Sequence, residues 1–310
     1  MSSNFKIAFE ALFGTKKGRL IAAQARGRAQ DPRDRLQSLQ DRFGDLDEGV
    51  DEEAPIFLLS SSWRSSSTIL QRMVMANNPD ILVWGEPYDH CNILDRMLGQ
   101  ISAFTATWPE DKYYLPIGKE YDLSNQWVAN LYPEVKCFKQ AHRAYFDTLF
   151  GSPAKAAGYT RWGIKEVRLN TAHACYLRWL YPNARFIFLR RNPLDAYRSY
   201  RQAREWFRTW PERPILTPYA FGRNWAELTQ DFLAHAQDIG GLFVRYEDLG
   251  DVRMTRKIED YLGWDIPPSS ALAKIGSSTR QNSTRWMPKV ERLLLKAGLG
   301  KAHRRAGYEF

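Results

Sequence analysis

The chain has 310 residues, 44 Lys and Arg against 35 Asp and Glu, and a formal net charge of +9. Its 44% hydrophobic and 25% charged residues are globular values with ample sequence for a core, which excludes global disorder. No run approaches the ~18 uninterrupted apolar residues of a membrane span, and Lys6 and Glu10 interrupt what would have to be a signal-peptide core. Cys91, Cys137 and Cys175 fall outside any CxxC pair, so neither a disulfide framework nor a metal site is expected, and a reducing, cytoplasmic compartment is the default.

Residues 1–53 read as a charged extension. Phe5, Phe9, Leu12 and Phe13 fall at helical spacing and Lys16, Lys17 and Arg19 follow. This pattern suits a helix packed on the domain or on a partner chain, the commoner case. It also suits an amphipathic helix in peripheral contact with an anionic membrane through residues 1–30. An acidic run, DLDEGVDEEA, closes the extension.

Residues 54–310 read as the main domain. APIFLLSS (54–61) is a short apolar run without alternation, as expected of a strand buried on both faces of a parallel sheet. A polar loop follows, and then Ile69, Leu70, Met73 and Val74 at helical spacing. Further strands are predicted at 81–84 (ILVW), 160–165 (TRWGIK), 185–189 and 241–245 (GLFVR). Approximately residues 87–160 lack a strong strand signal and carry many aromatics, including Trp108, Tyr113, Tyr114, Tyr121, Trp127, Tyr132, Tyr145 and Phe146. They form a largely helical insertion suited to an acceptor. The stretch after Pro288 reads as a basic helix closing the fold. Strands alternating with helices predict an α/β fold, a doubly wound parallel sheet of about five strands flanked by helices. Ligands of such sheets lie beyond the carboxyl ends of the strands. Arg64, Glu86, Lys165 and Arg191 therefore converge on one edge.

Two segments carry chemistry. The loop 60–68, SSSWRSSST, leads into a helix N-terminus, where unpaired backbone N–H groups and the helix dipole favour an anion. Four consecutive hydroxyls, Ser65, Ser66, Ser67 and Thr68, add donors, and Arg64 supplies a positive fork. The plainer reading is an N-cap cluster, with Ser65 or Ser66 capping the helix. The second segment is RRNPLDAYRS (190–199), in which Arg191 ends a strand, Asn192-Pro193 opens a helix and Ser199 lies two turns in.

Together these segments resemble the sulfotransferase family that uses 3′-phosphoadenosine 5′-phosphosulfate (PAPS). In that family an R-S-G-[ST]-T-like loop binds the 5′-phosphosulfate and an R-[DN]-P-x5-S unit binds the 3′-phosphate. Arg191-Asn192-Pro193 to Ser199 keeps the second spacing, whereas Ser66 stands where the family usually has glycine. Asn78-Pro79-Asp80 with Trp84-Gly85-Glu86 is similar to the segment carrying a catalytic glutamate. Lys165 sits where the family carries a catalytic lysine, and Arg245-Tyr246-Glu247-Asp248-Leu249 resembles an RYEDL segment whose tyrosine lies near the nucleotide. Thr284, in STRW, matches a nucleotide-side serine loosely, and Arg201 or Arg204 fits the family's second arginine of the 3′-phosphate helix. The likeness spans roughly residues 54–290 and is nearest to the bacterial and Golgi-type, tyrosylprotein-sulfotransferase-like branch.

The resemblance implies a P-loop-NTPase-like fold and sulfuryl transfer from PAPS to a hydroxyl, less readily an amine, of a glycan, lipid or phenol. Adenosine 3′,5′-bisphosphate (PAP) would be released, without a metal. Arg64, Ser65, Ser66, Ser67 and Thr68 would hold the phosphosulfate; Arg191 and Ser199 the 3′-phosphate; Tyr246 and Thr284 would lie on the nucleotide. Glu86 would be the base, with His90, His142 and His173 in reserve, and Lys165 and Arg64 would stabilise the leaving group. Two other readings compete. A nucleotide-dependent kinase would need a GxxxxGK[ST] loop, and neither its glycines nor its lysine is here. A basic nucleic-acid-binding module would account for the net charge and the Arg-plus-aromatic content, but the placement of charge in two separated segments favours a mononucleotide.

Overall fold

The computed structural model describes residues 31–44, 46, 54–86, 92–115, 123–125, 128–208, 215–268 and 287–309. Apolar runs without alternation become the strands, because both faces of the sheet are covered. These are β1 (Ile56–Ser60), β2 (Ile81–Trp84), β3 (Arg161–Glu166), β4 (Arg185–Arg190) and β5 (Leu242–Arg245). They form one five-stranded parallel sheet in the order β2-β3-β1-β4-β5. All five residues of β1 are buried, as befits the central strand. The registers Trp84↔Ile164, Leu59↔Glu166, Ser60↔Leu189 and Arg190↔Arg245 bring the carboxyl ends of neighbouring strands alongside one another. The strand bounds differ from the sequence reading by one or two residues at their ends. In particular, Lys165 lies inside β3 rather than beyond it.

Helices cover both faces. In chain order they are α1 (Pro32–Phe43), α2 (Ser67–Ala76), α3 (Ile93–Gly99), α4 (Val135–Phe146), α5 (Ser152–Ala156), α6 (Thr171–Leu180), α7 (Pro193–Arg208), α8 (Pro218–His235), α9 (Val252–Leu262), α10 (Lys289–Leu299) and α11 (Ala302–Arg305). The core has layers to match. One cluster joins Phe57, Ile164, Phe186 and Phe188 to α4 and α6, and another joins Ile56, Leu58, Ile187 and Val244 to α2 and α9.

Part of the N-terminal extension is built into this body. Asp31 caps α1 by accepting from the Arg33 N–H, and Leu36 and Leu39 are buried in the first core cluster. Arg33 then reaches Asp231 at 2.9 Å and the Thr171 hydroxyl at 2.8 Å. The basic, aromatic segment 1–30 lies outside the described residues.

The 87–160 insertion is helical where described, with α3, α4 and α5 and short 3-10 turns between them. Its aromatics pack: Phe150 stacks on Trp162 of β3 at 5.8 Å, and Phe146 is fully buried against Tyr176. Tyr121 and Trp127 lie outside the described residues. The basic helix predicted after Pro288 is α10, which crosses α8 closely. A Cβ on Gly298 would lie 2.2 Å from the Tyr219 carbonyl oxygen, so only glycine permits that approach. Among the described residues no helix is long and apolar enough to cross a membrane.

Candidate active site

Beyond Ser60 the chain turns through Ser61–Ser66 into α2, and two residues of this loop adopt left-handed backbone, Arg64 at φ 62° and Ser66 at φ 69°. Residues with a Cβ persist there only where the surroundings over-determine them. The support comes from the loop after β4. Arg64 Nε donates to Ser199 Oγ at 3.0 Å. In the other direction, Arg191 Nη1 donates to the Arg64 carbonyl at 3.0 Å and to Ser66 Oγ at 3.1 Å. The two sequence segments are thus cross-linked both ways.

This cross-link settles the N-cap reading. Ser66 holds the cap position of α2, yet its side chain bonds no amide of the helix: its backbone is left-handed rather than extended, and its hydroxyl accepts from Arg191 instead. The first amides of α2 keep their donor capacity. Ser67 opens the helix, buried, and Thr68 follows it, exposed. Ser61, Ser62 and Ser65 are fully buried, and their hydroxyls have no hydrogen-bond partner among the described residues. Buried polar groups are ordinarily satisfied, and clustered exceptions mark a place where a partner is expected.

Charge follows the same pattern. Burial, and then the neighbouring Arg191 guanidinium, lower the Arg64 pKa, while Glu86 partly opposes them. Among the described residues neither Arg64 nor Arg191 forms an ion pair. Arg191 is instead fixed from behind. Its guanidinium lies 4.5 Å from the centroid of the Tyr246 ring, and its carbonyl accepts from Trp225 Nε1 at 3.0 Å.

Beside this cradle stands a close acid–base contact on the edge. Lys165 Nζ donates to Glu86 Oε1 at 2.5 Å, with side chains 7% and 20% exposed. Pairing of β2 with β3 puts them together, since Trp84 faces Ile164 and each partner follows directly or nearly so. The turn after Lys165 is held by Glu166, fully buried, which accepts from the Val167 N–H at 2.8 Å and from two nitrogens of Arg168 at 3.0 and 2.7 Å. Burial still raises its carboxyl pKa, against the pull of Arg168.

The other candidates sit elsewhere. Arg201 pairs with Glu291 of α10 at 3.0 Å. His142 is buried between α4 and α6 with its Nδ1 2.6 Å from the Tyr176 hydroxyl. His173 sits in the capping box of α6, 2.7 Å from Asn170 Oδ1 and 3.1 Å from Asp95. Cys137 and Cys175 are free thiols. His90, Cys91, Thr284 and the Arg204 side chain lie outside the described residues. Sequence reasoning gave no role to Trp225, Glu166 or Arg168. Their contribution depends on contacts that no local pattern encodes, although Glu166 and Arg168 flank the lysine motif itself.

Two guanidiniums that, among the described residues, have no carboxylate partner and use only part of their donor capacity stand with the amides of a helix end and a set of orphan hydroxyls. They fit a ligand with more than one anionic group. The fold and this edge therefore define an α/β protein whose strand ends gather cationic and hydroxyl donors next to a paired carboxylate and ammonium. The model of the Sulfotransferase family matches residues 55–268, and the chain belongs to that family.

Among solved structures the chain is similar to the sulfotransferase domain of the Synechococcus PCC 7002 olefin synthase, at 16% identity over 85% of this chain and 98% of that one, with a TM-score of 0.48. It is similar also to the sulfotransferase domain from the curacin biosynthetic pathway, at 16% identity over 83% and 98%, with a TM-score of 0.46. Mouse sulfotransferase SULT7A1 complexed with PAP matches at 15% identity over 83% and 69%, with a TM-score of 0.38. No curated protein sequence matches.

Proposed function

We propose that this chain transfers a sulfuryl group from PAPS to an acceptor hydroxyl of a glycan, lipid or phenol and releases PAP. The crossed contacts Arg64–Ser199 and Arg191–Ser66 carry this reading, because they merge two distant motifs into one cationic cradle beside Glu86 and Lys165. Family membership supports the transfer class. The free thiols Cys137 and Cys175 suit a cytoplasmic setting.

PAPS supplies an activated sulfuryl group on a phosphate leaving group. Arg64, the α2 amides and the hydroxyls of Ser65, Ser66, Ser67 and Thr68 bind the phosphosulfate, and Arg191 with Ser199 fixes the 3′-phosphate. Tyr246 backs Arg191 in that role. Glu86 Oε1 is engaged by Lys165, which leaves Oε2 to take the acceptor proton as the new O–S bond forms. As the sulfur–bridging oxygen bond breaks, Lys165 and Arg64 hold the charge left on the departing phosphate oxygen. Positioning and charge neutralisation dominate, as in phosphoryl transfer.

The test has two arms. PAP should raise the melting temperature more than AMP does; equal shifts overturn the donor assignment. Glu86→Gln should keep PAP binding and lose turnover, by roughly 10²–10⁴-fold for a well-placed base. Wild-type turnover in that variant removes Glu86 from the role.

A further inference from the structure

The head of α7 is gripped by Glu247, which is itself held by a residue near the end of the described chain. Glu247 follows β5, and its two carboxylate oxygens do different work. Oε1 accepts from the backbone N–H of Asn192 at 2.7 Å, the residue immediately after Arg191. Oε2 accepts from the Tyr308 hydroxyl at 2.8 Å. Tyr308 is buried, at 4% exposure, with its ring 6.0 Å from Trp225 and the guanidinium of Arg245 5.0 Å from its centroid. Burial and the nearby Glu247 carboxylate raise the Tyr308 pKa, so the phenol keeps its proton and remains a donor.

The peptide that carries Arg191 is therefore clamped at consecutive atoms. Its carbonyl is held by Trp225, the following N–H by Glu247, and its guanidinium lies on Tyr246. Glu247 is also a hazard. A carboxylate at the N-terminus of α7 stabilises the helix, but it stands close to where a phosphate must bind, and a free second oxygen would repel it. Donation from Tyr308 keeps Oε2 turned away, with Arg245 Nε at 3.9 Å on the same oxygen.

We propose that Tyr308, acting through Glu247, is a positioning residue that confers preference for a 3′-phosphorylated nucleotide. The inference rests on the donor reading above. It predicts a change centred on the 3′-phosphate, because Glu247 and Tyr308 bond the Arg191–Asn192 peptide and each other, whereas the loop 61–68 is reached only through Arg191 itself among these residues. Tyr308→Phe removes one hydroxyl and keeps the buried ring. Calorimetric titration of the full chain with PAP and with AMP should show PAP affinity reduced roughly five- to tenfold, the net scale of one ordinary hydrogen bond, since the lost bond acts on the site only through Glu247. AMP affinity should stay within about twofold of wild type. Glu247→Ala, which frees the Asn192 N–H and with it the peptide that aims Arg191, should reduce PAP affinity further, the lost positioning outweighing the relieved repulsion, while leaving AMP affinity unchanged.

A parallel loss for both nucleotides in both variants would mean a merely structural role and would overturn the inference. Unchanged PAP affinity in Tyr308→Phe overturns it too. A wild-type protein without preference for PAP over AMP overturns the donor reading and this inference with it. A wild type that has the preference, with a variant that retains it, overturns the inference alone.

Discussion

Ser66 occupies a position that suits glycine, and the structure shows both what that costs and what it provides. Its φ of 69° lies in the left-handed region, where a Cβ costs about 1–2 kcal/mol. In exchange, its hydroxyl accepts from Arg191 at 3.1 Å, a contact that glycine could not make. Two substitutions separate the effects. Ser66→Ala loses the hydroxyl and keeps the Cβ, whereas Ser66→Gly loses both. Ser66→Gly should therefore be the more stable of the pair by about 1 kcal/mol in denaturant titration. Both should lose donor affinity to a similar extent. If the alanine variant matched the glycine variant in stability, backbone strain at this residue would be negligible.

The elements themselves were largely legible. The apolar runs around Ile56–Ser60 and Arg185–Arg190 lacked alternation because both sheet faces are covered there, whereas Ile81–Trp84, at the sheet's edge, is apolar throughout but buried at alternate residues; both patterns are local. The spacing from Arg191 to Ser199 was legible for the same reason, because Arg191 stands just before α7 and Ser199 about two turns into it. The bonds between elements were not. Arg64 meets Ser199 across 135 residues, and Gly298, which in sequence only weakens a helix, is required by the crossing of α8 and α10. His142 shows the same limit. Read as a reserve base, it proves to join α4 to α6 through Tyr176, and burial pulls its pKa down from 6.5 to about 4. In the unfolded chain it takes up a proton below about pH 6.5, whereas in the folded protein it does so only near pH 4. The unfolded state then binds more protons, so stability falls as pH drops through that window, by at most ~1.4 kcal/mol per pH unit. His142→Gln should flatten this acid limb in urea titrations between pH 7 and pH 4.5. An unchanged slope would remove His142 as its source.

At the scale of the whole molecule, the net charge of +9 admits two kinds of partner, a polymer or a small anion, which respond differently to salt. A polyanion spread over the surface releases many counterions, and its affinity falls about 10³–10⁵-fold between 50 and 200 mM salt when six to ten phosphates are contacted. The cradle around Arg64 and Arg191 is different. Its cations are half-buried, cross-linked to each other's loops and drawn from two segments that meet only in the fold. Charges in such a setting are screened less than exposed ones, and a mononucleotide has few counterions to release. Other basic side chains are neutralised by acids: Arg33 by Asp31 and Asp231, Arg42 by Asp111, Arg201 by Glu291, and Arg168 by Glu166. PAP affinity should therefore fall by less than about tenfold between 50 and 200 mM NaCl in calorimetric titration, against a much steeper loss for any nucleic acid bound by the same chain. A polymer-like slope for PAP would show that it is held by diffuse surface charge rather than by the two loops, and would move the donor site away from the Arg64–Arg191 cradle.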